Sequence, residues 1–130
     1  MKHHRCFHDF IILSTIPHFV SLYYTYEDSC YTAVVMIATM SSILWHMSRE
    51  SSKQLLYLDY SCATLLCLYE IYKSQDIWFV VVTSNLGLLV INKSMDLLSK
   101  YKILRYSIGH SIYHVISCCK TFYIASYSTS

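Results

Sequence analysis

The chain has 130 residues, of which 55% are apolar and only 14% charged. Ordinary soluble domains carry about a quarter charged residues, so this composition excludes a surface that mostly faces water. Two glycines and one proline exclude collagen-like, linker-like and disordered chains, and a formal charge of +2 is too small for a nucleic-acid footprint. The length is that of one domain over residues 1–130, read as an all-α integral membrane bundle, multi-pass, with the lipid bilayer as its partner.

The N-terminal segment carries Lys2, Arg5 and Cys6, and an i, i+4 histidine pair, His4 and His8, read as a solvated tail. The first apolar stretch, Phe10–Tyr26, is kinked at Pro17. It reads as a retained helix rather than a signal sequence, because Ser21-Leu22-Tyr23-Tyr24 is too bulky for a cleavage site. The second stretch is Cys30–Met47, the third Leu55–Tyr72, the fourth and shortest Ile77–Ile91, and the fifth Ile103–Ser126. Each approaches the ~20 residues that a helix needs to cross hydrocarbon. The loops left over are too short for a separate soluble domain. None of the stretches alternates with the period-2 pattern of a barrel strand. Their Ser, Thr and Cys content suits helix–helix contacts in lipid.

Charge then orients the bundle. Five crossings put Lys2, Arg5, Arg49, Lys53, Lys93, Lys100, Lys102 and Arg105 on one side, eight of the ten basic residues, with Lys73 and Lys120 on the other beside Glu27, Asp28, Glu70 and Asp76. Positive residues stay inside, so the N-terminus is expected in the cytoplasm. Cys62, Cys67, Cys118 and Cys119 fall inside apolar stretches, where a thiol behaves as a small apolar group. Cys30 is read as free, the alternative being a disulfide to Cys118 or Cys119.

Ionisable side chains within the hydrocarbon are costly and mark sites. Here they are His18, His46, Asp59, His110 and His114. His18 has no partner at matching spacing and reads as structural or pore-lining. His110 and His114 share one helix face, the spacing at which two imidazoles can share a zinc ion. Ser42 and His46 stack in the same way. In a five-crossing bundle these residues and Asp59 all fall within about 15 Å of one membrane face, by the ~1.5 Å rise per residue. Three neutral imidazoles with an open fourth position make a catalytic zinc site whose bound water has a pKa lowered towards about 7. Asp59 is then the base, or the acceptor that orients an imidazole, and Ser42 a hydrogen-bond donor. Two other readings use the same residues: a non-catalytic bundle, structural or receptor-like, that keeps a polar core, and a haem-binding bundle with His46 opposite His110 or His114.

The ordered set Ser42-x3-His46, Asp59 in Leu58-Asp-Tyr-Ser61, and His110-x3-His114 resembles the CREST superfamily, which includes the alkaline ceramidases, the progestin and adipoQ receptors and the myomaker-like proteins. The resemblance implies that His46, His110 and His114 hold zinc, that Asp59 and Ser42 line it, and that the reaction is hydrolysis of a lipid amide such as ceramide. The receptor branch of that superfamily shares the orientation derived from charge. Its members have seven helices, whereas here one helix, not three, separates Asp59 from the histidine pair. Losing two helices keeps the parity that lets the motifs meet, and self-association is one way to complete such a bundle.

Overall fold

The apolar stretches become helices, and polar residues at their ends decide where each begins and stops. The computed structural model describes the backbone of residues 2–128 and the side chains of residues 9–128. The readings placed on Lys2, His4, Arg5, Cys6 and His8 concern side chains outside the described ones. Helix α1 spans Lys2–Thr15 and continues through a 3-10 segment, Ile16–Ser21, into the single turn α2, Leu22–Thr25. Pro17 sits at the start of the 3-10 segment; it has no N–H for the α-helical ladder, and the rod tightens there. Asp28 caps α3, Ser29–Met47, by accepting from the Tyr31 N–H at 2.9 Å, and Ser52 caps α4, Lys53–Lys73, by accepting from Leu55. After a 3-10 turn, Gln75–Ile77, come α5, Trp78–Lys100, and α6, Tyr106–Ser128. The described residues are all-helical, without a strand.

Three boundaries differ from the sequence reading, the first being that α1 already begins at Lys2 rather than at Phe10. Helix α5 does not stop at Ile91 but runs on through Lys93 and Asp96 to Lys100, because charge lowers hydropathy without breaking a helix. The last helix starts at Tyr106 rather than Ile103. Ahead of it, α5 ends in a Schellman-type turn: the Ile103 N–H reaches the Leu98 carbonyl at 2.9 Å and the Lys102 N–H reaches Ser99 at 3.0 Å. Lys102 takes the left-handed position, with φ 58°, that glycine usually fills.

The rods close into a ring in which α1 packs on α3 and α6, α3 on α4, α4 on α5 and α5 on α6. Gly109 lets α6 come close to α5, since a Cβ there would lie 3.1 Å from Met95 Cβ and from Leu104 Cδ2. The interior is more polar than apolar. Among the described residues, fifteen polar or charged side chains are buried against eleven apolar ones, while Phe10, Leu65, Leu68, Phe79, Val90 and many other large apolar groups face outward. Two helices, over Ser29–Met47 and Gln75–Lys100, are long and apolar enough to cross a membrane.

Away from the histidines the bundle holds a second polar contact that charge counting did not anticipate. Lys120 and Glu70, counted in the sequence only as charges on the non-cytoplasmic side, form a buried ion pair between α6 and α4, their side chains 8% and 0% exposed. Lys120 Nζ also donates to Asn85 Oδ1 of α5 at 3.0 Å, and the Cys67 thiol donates to the same oxygen at 3.0 Å. An unpaired charge is costly in such an interior, and each ion here meets its counter-ion across a helix interface. At the same end Asp28 pairs with Lys73 at 2.8 Å and accepts from the Tyr69 hydroxyl. Cys30, Cys62, Cys67, Cys118 and Cys119 are free thiols.

Removing one partner of the buried pair is expected to cost about 3–5 kcal/mol. Thermal unfolding in detergent should therefore show Lys120→Met strongly destabilised and Glu70→Gln/Lys120→Met largely recovered. Asp28 carries a milder, pH-dependent contribution. Lys73 and the Tyr31 N–H hold its carboxyl below the usual range, so its stabilisation is complete above the unfolded carboxylate pKa and is lost as pH falls through the lower folded value. Asp28→Ala is expected to cost about 1 kcal/mol near neutral pH and progressively less in acid.

Candidate metal centre

The site is built at one end of the bundle from the last turn of α3, the second turn of α4 and the first turns of α6. His46 projects from α3 and is 1% exposed; His114, 6% exposed, meets it from α6. Their Nε2 atoms stand 3.0 Å apart. His110, one turn before His114, packs edge-on to both, with ring centroids 4.9 Å from His46 and 4.8 Å from His114. One nitrogen from each of the three imidazoles falls within 4.8 Å of the others. These three histidines can hold a metal ion.

The donor chemistry fits that role. Zinc–nitrogen bonds of about 2.0–2.1 Å in a tetrahedron set neighbouring ligand nitrogens about 3.3 Å apart, close to the His46–His114 separation. His110 Nδ1 is buried and has no hydrogen-bond partner, and such an orphaned nitrogen calls for a ligand, a water or an ion. Three imidazoles suit zinc, copper, iron or nickel and not the hard cations, which prefer oxygen. A porphyrin is a poor fit, because Nε2 atoms in direct contact leave no slot for a macrocycle between the rings.

The structure brings the two remaining candidates to the same place. The Asp59 carboxyl on α4 lies within electrostatic reach of His46 and has Ser42, on α3, as a hydrogen-bond partner. Ser42 is buried one turn before His46. The neighbouring Ser41 hydroxyl donates to the Ala38 carbonyl at 2.9 Å and is, with Ser42, a hydrogen-bond partner of the carboxylate. His18 is buried in the 3-10 segment, within electrostatic reach of His114 and Lys120, and does not join the triad.

Two residues absent from the sequence reading complete the surroundings. Glu50, in the loop after α3, has Oε1 3.0 Å from His46 Nδ1 and accepts from the Tyr106 hydroxyl at 3.1 Å. Burial alone would raise this carboxyl, but the contacts with His46 and Tyr106 outweigh it and hold it below the ordinary range. Tyr106 itself stacks on His110 at 5.1 Å. The i, i+4 offset from His46 to Glu50 was a signal in the sequence, where only the neighbouring Arg49 was counted, as one of the orienting charges.

Comparison of the chain with protein-family models, with curated proteins and with solved structures returns no match. The geometry alone therefore carries the site.

A double variant, His110→Ala/His114→Ala, leaves one of the three ligands and is expected to abolish metal binding while the bundle still folds. Elemental analysis of detergent-purified protein beside circular dichroism checks it. Unchanged metal content would place any bound ion elsewhere.

Proposed function

We propose that the chain is a multi-pass membrane protein with five spans, its N-terminus in the cytoplasm, and that it is a zinc-dependent hydrolase of lipid amides, a shortened relative of the CREST superfamily. The observation that carries this reading is the meeting of His46, His110 and His114 with Asp59 and Ser42 at one end of a bundle whose buried side chains are largely polar. Outward-facing Leu, Val, Phe and Tyr side chains around a polar interior suit lipid as solvent, and ionisable groups in such an interior are kept for function. An acyl chain would lie in the open apolar surface groove of about 450 Å³ between Phe10 and Leu13 of α1 and Ile108, Ile112, Val115 and Ile116 of α6, the helix that also carries His110 and His114.

Bound zinc would supply Lewis acidity and bring the pKa of water towards about 7. The protein's own part is to hold and move a proton. Asp59, fixed by Ser42, offers a carboxylate oxygen to the water that attacks the amide carbonyl and returns that proton to the departing amine. The Ser42 hydroxyl orients that carboxylate and restrains it from turning away. The half-buried setting of Asp59 limits competing bulk water.

The reading is tested with a fluorescent ceramide-type amide in detergent micelles. Asp59→Asn is expected to keep its zinc and lose about 10²–10⁴-fold in turnover, and Ser42→Ala to lose less. An Asp59→Asn variant as active as wild type would remove the hydrolase mechanism and leave a non-catalytic metal-binding bundle.

A further inference from the structure

We infer that Glu50 is a positioning residue that holds His46 in the Nδ1–H form, with its Nε2 lone pair turned into the histidine cluster; the inference rests on the metal-site reading above. An ionised carboxylate only accepts hydrogen bonds, and Glu50 Oε1 stands 3.0 Å from His46 Nδ1. The proton of that contact therefore belongs to the imidazole. A neutral imidazole has one N–H, so His46 Nε2 is left as a bare acceptor. It lies 3.0 Å from His114 Nε2 and faces His110 edge-on. A carboxylate behind a ligating histidine fixes the ring and raises its basicity, and losing that support typically costs 10–100-fold in metal affinity.

The backbone around Glu50 is arranged for this contact at some expense. Helix α3 ends in a Schellman-type turn, with the Arg49 N–H on the His46 carbonyl at 3.0 Å and the Glu50 N–H on the Trp45 carbonyl at 3.3 Å. Arg49 and Glu50 both take left-handed conformations, with φ of 55° and 56°. Two such residues in succession, neither of them glycine, are costly and persist only where their surroundings fix them. The fixing contacts are His46 on one side and the Tyr106 hydroxyl, 3.1 Å away, on the other. Glu50 thus ties the end of α3 to the start of α6, the two helices that supply all three histidines.

The test separates positioning from a merely structural tie. Glu50→Gly relieves the left-handed strain and removes the carboxylate, while Glu50→Gln keeps an uncharged acceptor. Zinc dissociation constants are read by competition with a colorimetric chelator, and the His46 tautomer by 15N chemical shifts of labelled, zinc-free protein. Wild type is expected to show Nδ1–H at His46. Glu50→Gly is expected to show mixed tautomers and 10–100-fold weaker zinc binding at unchanged helicity, with Glu50→Gln in between. Equal zinc affinity in wild type and Glu50→Gly overturns the role of Glu50 and leaves the metal site standing. A wild type that binds no zinc, but whose Nδ1–H signature vanishes in Glu50→Gly, overturns the metal-site reading and retains the positioning contact.

Discussion

A buried polar group calls for a partner within the protein; hydroxyls such as those of Ser14 and Thr39 return to carbonyls of their own helix, and the groups that organise this bundle reach to another helix or to a helix end. His46 of α3 meets His114 of α6, Asp59 of α4 meets Ser42 of α3, and Lys120 of α6 meets Glu70 of α4 and Asn85 of α5. The apolar core contributes comparatively little to this arrangement. Its cluster of Tyr31, Val35, Leu66 and Ala125 joins α3, α4 and α6. Apolar contacts are non-directional, so they hold helices together without fixing rotation. The paired polar groups set which face of each helix turns inward.

That requirement explains why the two polar centres sit where they do. At one end, three imidazoles converge, and the nitrogen left without a partner, His110 Nδ1, is the feature that an ion or a water would satisfy. At the other, a single positive and a single negative charge neutralise each other, and their roles are fulfilled within the protein, although Glu70 Oε1 keeps an unused lone-pair site. The first centre has ligand atoms to spare; the second is nearly closed. This difference directs the functional proposal to the histidines rather than to the buried ion pair.

Much of the site was legible because helix geometry turns spacing into position. The i, i+4 offsets of Ser42 with His46 and of His110 with His114 put each pair on one face, and alternating helix direction gave the common depth with Asp59. What escaped the sequence has equally physical causes. Helices α3 and α5 both end in Schellman-type turns, but with Arg49 and Lys102 where glycine would have announced the stop. No glycine marked either stop, the charges of Lys93 and Asp96 ended the apolar stretch of α5 at Ile91, and Glu50 went unread. Glu70 and Lys120 are fifty residues apart, and their pairing depends on how α4 and α6 turn towards each other, which no local pattern encodes. The interruption at Pro17 was readable, since a missing N–H acts locally.

The central claim is that one metal ion is held by three imidazoles, and its environment can be observed directly. Zinc K-edge X-ray absorption on the detergent-purified, zinc-loaded chain reports the ligand atoms and their distances. The account predicts about one zinc per chain with three imidazole nitrogens at about 2.0–2.1 Å and one oxygen ligand at about the same distance. A sulfur shell at about 2.3 Å, assigning the ion to the free cysteines, or a spectrum of hydrated zinc alone, would contradict it.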